Sequence, residues 1–400
     1  MGFSNSLKQY LNRRLFGNSV YFSQVVGQKG PVWISTDEPF ELYNTIPQLK
    51  AVIDRKASMF CNMEIYLVDA KGNRKEDKDL QKLIQNPNPI QTMNGFLKEF
   101  KIQEQVYGNQ FMFKNKPSNL YKYPATLFNI SSNYIQPILS GKIFRQVSVD
   151  DIIKGYEYKD ASGTKENYDT NDILYSRLTN INHPVLGLSP VTSLQYVLSN
   201  IKLAYEFRNV TMAQRGPLGI LSNESKDSMG AIPLTSDERK KVEEQFTTEY
   251  GIGIGQRKIK LTEASLKWQA MSFATKDMML FEEVDSNLIT LVDSFGLNIN
   301  MFSNKNATFE NVKNSILQVY QDTIIPEADQ FTQSFGKFIG VPENLRLVAS
   351  YEHLSLLKEN KQKGLQGINT LIDALTKAVS GGLLDAAMAT QILAKELQLA

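Results

Sequence analysis

Few residues of this chain stand where they could make or break bonds. A hydrolase needs a nucleophile beside a base, or a metal held by correctly spaced ligands. The two histidines, His183 and His353, lie beside Pro184 in a predicted loop and near a predicted helix start. They lack the spacing of a metal pair, and no HExxH or CxxC occurs. Gly251-Ile-Gly-Ile-Gly255 has the composition of a phosphate-cradling loop. A dinucleotide site needs a strand before the glycines and a helix N-terminus after them. Here a predicted helix precedes them, and Arg257-Lys258-Ile259-Lys260 follows as strand, so the glycines read as a turn. No GxxxxGK[ST] occurs, so nothing supports nucleotide hydrolysis. The single cysteine, Cys61, excludes an intramolecular disulfide and a multi-cysteine metal site, and reads as a small buried hydrophobe. No cofactor is implied, and the chain is not expected to be an enzyme.

Charge is more informative in its placement than in its sum. The 44 Lys+Arg and 42 Asp+Glu leave a net +2, which argues against a chain that wraps nucleic acid by neutralising phosphates. A helix predicted from Thr275 to Phe295 nevertheless carries Asp277, Glu282, Glu283, Asp285 and Asp293 against Lys276 alone. Such carboxylates ordinarily mark a solvated face, and a catalytic pair would need a pocket and a partner. Cations are scattered: Arg13-Arg14, Arg239-Lys240-Lys241, Arg257-Lys258-Lys260 and Lys305. The second set shares its helix with Glu238, Glu243 and Glu244, a mixed surface more than a DNA patch.

The elements that position these residues follow from periodicity. With 42% hydrophobic and 22% charged residues over 400, the composition is globular, and two or three domains are expected. The segment Leu7 to Phe16 is basic and amphipathic without the apolar run of a signal peptide, and no eighteen-residue apolar stretch predicts a membrane span. The chain is therefore expected to be soluble and cytosolic where it is made. Residues 40 to 115 mix helix and strand: a stripe at Ile46, Leu49, Ile53 and Ala57, a strand over Met63–Val68, and a turn at Asp69–Gly72. A short helix over Leu80–Gln85 stops at Asn86-Pro87-Asn88-Pro89, and Thr92 caps a helix that Gly108-Asn109 ends. Gln110–Lys114, Leu127–Ile138 and Phe144–Tyr158 read as strands.

The second half is more helical. Ser189 and Pro190 open a helix to Arg215 with Leu194, Leu198, Ile201, Tyr205 and Met212 on one stripe, and Gly216-Pro217 stops it. A compact α/β insert occupies 217–271, with a strand at Leu218–Ser222, a capping box at Thr235–Glu238 and alternation from Arg257 to Met271. The acidic helix follows, with Met278, Phe281, Val284, Leu288, Leu291 and Phe295 inward and Gly296 at its end. Leu297–Asn306 reads as an Asn-rich loop. Thr308 caps a third helix with Phe309, Val312, Ile316 and Val319 on one face, and Pro326 within it predicts a bend or break. Tyr351–Ala400 is helical, interrupted at Gly381-Gly382.

Several short strings occur in an order that resembles one family. They are Asn86-Pro87-Asn88-Pro89 with Gln91-Thr92, Tyr107-Gly108-Asn109, Gly187-Leu188-Ser189-Pro190 and Gly216-Pro217-Leu218-Gly219. Phe295-Gly296, Thr308, Asn311 and Pro326 follow. Over roughly residues 40 to 335 this resembles the portal proteins of tailed bacteriophages, in the long-tailed phage and prophage branch. One departure is Leu297-Asn298-Ile299-Asn300, where the family usually has Val-Pro. The resemblance implies an α+β portal fold. Residues 1–186 would form the wing, 187–216 and 272–296 the two stem helices, and 217–271 a small α/β clip. Residues 297–307 would be the tunnel loop, 308–350 the bent helix and the rest of the wing, and 351–400 a helical crown.

It further implies a homo-oligomeric ring, usually a dodecamer, at one capsid vertex of the virion, assembled in the host cytoplasm. Double-stranded DNA would pass its channel without sequence specificity. The large terminase subunit, the head-completion adaptor, and the major capsid protein with its scaffold would be its partners, and no membrane is involved. On this basis Asp277, Glu282, Glu283, Asp285 and Asp293 would line the channel. Asn300, Met301, Phe302, Asn304 and Lys305 would form the tunnel loop, and Arg239, Lys240, Lys241, Arg257 and Lys258 the docking face of the clip. The competing expectations are another virion protein, such as a head-completion adaptor, or a nucleotide-dependent packaging enzyme. The first gives no reason for two long helices around an insert, and the second lacks a phosphate loop.

Overall fold

Proline opens the first two helices of the described residues, at the position where its missing N–H costs nothing. The computed structural model describes residues 39–118, 121–140, 148–160, 162–213, 219–223, 226–227, 230–231, 235–237, 240–241, 244, 266–270, 280–302 and 308–399. Helix α1 spans Pro39–Thr45 and α2 Pro47–Phe60, with Leu49, Val52, Ile53, Ala57 and Phe60 buried. Strand β1 (Glu64–Asp69) turns at Gly72 into β2 (Arg74–Lys75). Asp77 then caps α3 (Lys78–Gln85), accepting from the amides of Asp79 and Leu80. Asn88 closes the Asn-Pro turn by donating to the Leu127 carbonyl at 3.0 Å. Helix α4 (Met93–Tyr107) is capped by Thr92 and ended by Gly108 in the left-handed region, and Phe96, Leu97 and Phe100 are buried.

Six strands follow: β3 (Asn109–Asn115), β4 (Thr126–Ile130), β5 (Ile135–Leu139), β6 (Ile153–Lys159), β7 (Lys165–Tyr168) and β8 (Ile173–Arg177). They form two antiparallel sheets, ordered β4-β3-β8 and β5-β6-β7, over a satellite core of Phe111, Ile135, Ile153, Tyr156, Ile173 and Val185. The single strand expected over Leu127–Ile138 is two strands in different sheets. A turn at Ser131–Tyr134, closed by Tyr134 N–H on the Ser131 carbonyl, divides them, as Ser-Ser-Asn chemistry favours.

The long helix expected from Ser189 is interrupted. Ser189 caps a turn, Pro190–Ser193, that closes with i→i+3 bonds, and helix α5 restarts at Gln195 and runs to Ala213, about 28 Å. Strands β9 (Gly219–Asn223) and β10 (Leu266–Ala270) pair antiparallel, and α6 covers Leu280–Ser294. The expected stop at Gly216-Pro217, the start of the acidic helix and the Gly251–Gly255 turn lie outside the described residues.

Helix α7 (Phe309–Val319) passes through a π turn, Tyr320–Ile324, into α8 (Ile325–Ile339). Of the bend or break expected at Pro326, the break does not occur. In a regular helix the proline ring would strike the carbonyl of residue 322. The ladder widens instead, with Ile325 N–H on the Tyr320 carbonyl, five residues back. Phe309, expected on the inner face, is 84% exposed at the first position of α7, whereas Val319 is buried. Strand β11 (Leu345–Ser350) returns antiparallel to β1, Glu64 facing Ser350, so the sheet order is β11-β1-β2. Helices α9 (Ser355–Ser380) and α10 (Ala386–Leu399) end the chain on either side of Gly381-Gly382.

Two devices lock these elements together. The first is a cluster of two cations and two anions, buried but for Glu327, whose side chain is 28% exposed. Lys101 lies between Glu104 (2.5 Å) and Glu327 (2.8 Å), and Lys56 reaches Glu327 at 2.8 Å. Lys56, Lys101 and Glu104 are 5%, 3% and 6% exposed, and Ser176 of β8 donates to Glu104. Burial pulls Lys101 down, but Glu104 and Glu327 outweigh it and hold the ammonium above its ordinary range. Burial would raise Glu327, yet Lys101 and Lys56 hold it below the usual carboxylate range; for Lys56 burial prevails and lowers it. The cluster joins α2, α4, α8 and β8.

The second is a backbone clasp. Gly108 has φ +72°, and a Cβ there would lie 2.3 Å from the Leu188 carbonyl carbon, while one on Gly187 would lie 2.0 Å from the Gly108 oxygen. Asn109 accepts from Gly187 N–H (2.8 Å) and from the Tyr175 hydroxyl, and Ser189 donates to the Val106 carbonyl at 2.6 Å. The Tyr107-Gly108-Asn109 and Gly187-Leu188-Ser189-Pro190 strings are thus two halves of one contact that fixes where α5 begins.

G187A has nowhere to place its methyl and should cost about 3 kcal/mol as overpacking, whereas G95A, whose Cβ would sit 3.7 Å from Thr92 Oγ1, should leave the melting temperature unchanged or higher. K101M strands Glu104 in the core and should cost about 3–5 kcal/mol in denaturant unfolding. The pH dependence has a definite sign. Glu327 is ionised more readily folded than unfolded, so its contribution is present above its ordinary value of 4.5 and is lost as pH falls through the lower folded value. Thermal melts should drop below about pH 4.5, and E327Q should flatten that limb.

Candidate functional site

The two helices that bracket the insert pack on each other through short apolar stripes. Leu194, Leu198 and Ile201 are buried beside α5's start, and Leu291, Val292 and Phe295 on α6 and just after it. Tyr205, expected to continue the α5 stripe inward, is 44% exposed and accepts from Gln48 Nε2, so the buried part of the stripe ends near Ile201. At its other end α6 closes with Gly296 at φ +69° and Leu297 N–H on the Val292 carbonyl. The Thr323 hydroxyl, inside the π turn, donates to the Gly296 carbonyl at 2.9 Å. The end of α6 is therefore held by the turn that Pro326 requires.

The acidic positions are only partly within the described residues. Asp285 and Asp293 are exposed on α6, and Asp285 borders the inward stripe of Leu288, Val292 and Phe295. Glu282 and Glu283 belong to the same helix, with Glu282 three turns before Asp293, and Asp277 lies outside the described residues. The expected loop after Gly296 is shorter than the composition suggests. Asn298 caps a 3-10 turn, Ile299–Met301, Asn300 donates to Ser315 at 3.0 Å, and Met301 and Phe302 are half-buried against the main core. Apolar burial of Ile299, Met301 and Phe302 overrides the loop character of the asparagines. Asn304 and Lys305 lie outside the described residues. Of the cations assigned to the insert, Lys240 and Lys241 are helical and exposed, and Arg239, Arg257 and Lys258 lie outside. The paired β9 and β10 form the root through which the insert leaves and returns, from Asn223 opposite Leu266 to Gly219 opposite Ala270.

The histidines are engaged structurally. His183 Nδ1 accepts from the amides of Val185 (3.1 Å) and Leu186 (2.8 Å), which shapes the loop before the clasp, and His353 Nδ1 is 3.8 Å from Glu64. Cys61 is buried, and burial pushes its thiol up. Among the described residues no three His, Cys, Asp or Glu side chains are grouped to hold a metal, and no helix is long and apolar enough to cross a membrane. The buried cluster escaped sequence reading although a signal existed: Lys56 falls on the Val52, Ile53, Phe60 stripe, and Lys101–Glu104 is an i,i+3 pair flanked by Phe100.

Comparison with known proteins agrees with this architecture. The chain matches the family described as phage portal protein over residues 47–385. Two proteins described only as uncharacterized, from Rickettsia felis and Rickettsia bellii, are 23% and 24% identical over 290 and 298 residues. These alignments cover 70% and 71% of this chain and 71% of each of theirs. Among solved structures, the neck of an empty gene transfer agent particle, computed with C6 symmetry, superposes with a TM-score of 0.60 at 17% identity, covering 92% of this chain and 96% of its own. The native particle's neck, computed with C12 symmetry, gives 0.59 at 17%, covering 91% and 94%. An HK97 family phage portal protein from Corynebacterium diphtheriae gives 0.51 at 9%, covering 78% and 94%. At these identities the structures speak to fold. The family match spans most of the sequence, and the chain belongs to the phage portal protein family, a family of structural proteins and not enzymes.

Proposed function

We propose that this chain is the subunit of a ring at one vertex of a phage-type capsid, through whose channel double-stranded DNA is packaged and released. The observation that carries this reading is the pair α5 and α6, packed on one another and continuing into the paired strands β9 and β10 of an insert. That is the arrangement a stem and clip require. The C6 and C12 symmetries of the neck structures support a ring of copies, and twelve is the proposed number. Residues 1–186 and 308–350 make the wing, 187–216 and 272–296 the stem, 217–271 the clip, 297–307 the tunnel loop and 351–400 the crown.

In this assignment α6 turns its exposed face, with Asp285 and Asp293, to the channel, joined by Asp277, Glu282 and Glu283. A phosphate about 10 Å from one carboxylate is repelled by roughly 0.4 kcal/mol in water. Salt reduces that severalfold near one Debye length, but a ring presents each acid once per copy. The sum keeps a moving duplex from adhering. Lys305 in the tunnel loop supplies a sparse cationic contact, with Asn300, Met301 and Phe302 as its packed base and Asn304 beside it. Arg239, Lys240, Lys241, Arg257 and Lys258 on the clip meet the large terminase subunit during packaging and the head-completion adaptor afterwards. The major capsid protein and scaffold meet the wing.

Electron microscopy of the purified full chain should show rings with a central hole wide enough for a duplex; solid particles or monomers would sink the reading. D285K/D293K should then cut packaged DNA per particle at least several-fold while leaving rings intact. Unchanged packaging would mean that this face of α6 points away from the channel.

A further inference from the structure

A sheet ends in two edge strands, and each presents a row of unpaired backbone groups to any extended chain that reaches it. The sheet β11-β1-β2 treats its two edges differently. One edge is β2, only two residues long, Arg74 and Lys75, both exposed. Short, cationic edges of that kind resist further pairing. The other edge is β11, six residues in unbroken register with β1, and it contains neither proline nor lysine. Among the described residues no strand pairs with its outer side. Which of its groups point outward follows from β1. The Asp69 N–H bonds the Asn73 carbonyl, on the β2 side. Directions alternate along a strand, so Tyr66 and Val68 turn their backbone groups to β11, where Val348 and Arg346 face them. Leu347 and Ala349 therefore point their N–H and C=O groups away from β1.

A groove of about 770 Å³ runs along that outer side. It touches Leu345, Arg346, Leu347 and Val348 in succession. Successive side chains of a strand stand on opposite faces, so a groove lined by four in a row follows the edge and not one face. The rest of its lining comes from α8, between Asp329 and Lys337, and from the turn after it. The volume lies within the range of about 300–1,000 Å³ in which proteins hold ligands. Arg346 is the only charge on β11, and it is exposed and in no ion pair.

We infer that the outer edge of β11 docks an extended segment of another protein, which pairs with Leu347 and Ala349 as an added strand and sets an acidic side chain against Arg346. Backbone groups at strand spacing select a polypeptide over other ligands, and side chains at alternate positions select which polypeptide. Opposite charges on neighbouring strands stabilise the pairing and like charges oppose it, so Arg346 specifies an acid. Asp329 and Glu343 reach the groove from the helix and the turn and disfavour further acids. A second copy is the poorer occupant, because its β11 carries its own α8 into the same groove. A segment with no helix beside it enters freely. The inference does not depend on the ring assignment.

Selection of displayed random octapeptides on the purified full chain tests this. The enriched peptides should be strand-forming and carry one acid. A349P removes an outward N–H that β1 does not use, and proline is tolerated at such edge positions. It should melt within a few degrees of wild type and bind the selected peptides at least about tenfold more weakly. R346E should shift the preference towards peptides in which lysine replaces the acid. No enrichment on the wild-type chain, or equal binding by a folded A349P, would overturn the docking edge. Should A349P not fold, R346E decides, and an unchanged preference sinks the proposal. Self-association of the wild-type chain that A349P abolishes would give the edge to a second copy and overturn this occupant.

Discussion

Pro326 has no amide hydrogen, and much of the molecule is arranged around how one helix accommodates that lack. Without the widened turn at Tyr320–Ile324 the ring of Pro326 would collide with the preceding turn. With it, two contacts fall into place on either side of the proline. Thr323, within the turn, binds the carbonyl of Gly296 and fixes the end of α6. Glu327, one residue beyond Pro326, enters the core between Lys56 and Lys101. The same short segment thus positions the acidic helix from one side and neutralises two buried cations on the other.

The buried cluster carries a cost that its position explains. Replacing such a group with apolar side chains of equal volume is often neutral or stabilising, so charge is not the cheapest way to join four elements. What the cluster provides is registry. Lys101 can satisfy both Glu104 and Glu327 only when α8 sits at one height against α4, and a slip of a single turn would bury unpaired charge. The clasp at Gly108 and Gly187 does the same for α5 by steric means. Two backbones meet where neither tolerates a methyl, which leaves no freedom for the start of the helix. Ionic and steric constraints converge on the junction from which α5 and α6 depart.

Local chemistry was legible in the sequence and long-range pairing was not. Thr92 and Thr308 cap the helices they were expected to cap, and Ser189 caps the turn that leads into α5, because a cap is decided by residues two or three positions away. The antiparallel pairing of β1 with β11 joins segments about 280 residues apart, and no local pattern announces it. Pro326 was read as a bend or a break, and the choice between a break and a π turn that continues the helix lies with Thr323 and Glu327 and their distant partners. At the candidate site the acids of α6 were visible as composition. That Asn300, Met301 and Phe302 would settle on the core was not, because their neighbour Ser315 and the apolar floor beneath them come from a later helix. Among the described residues, the strings around Asn88, Gly108, Asn109 and Gly187 are structural, each tying one backbone segment to another.

Near-neutral net charge is consistent with a nucleic-acid conduit once placement is considered. A protein that holds DNA needs a cation for each phosphate it neutralises. A conduit must keep the duplex mobile, and a wall of carboxylates does so without gaps to fill or bonds to break. In the proposed ring, excess acid on α6 must then be offset elsewhere, or repulsion between copies would oppose assembly. Within one copy Lys202 lies 3.9 Å from Glu206 on α5, and Lys313, Lys361 and Lys363 pair with Glu359 and Glu352 near the start of α9. These charges are paired locally, while Asp285 and Asp293 stand exposed on α6. The small net charge is the sum of these two requirements rather than a sign that charge is unimportant.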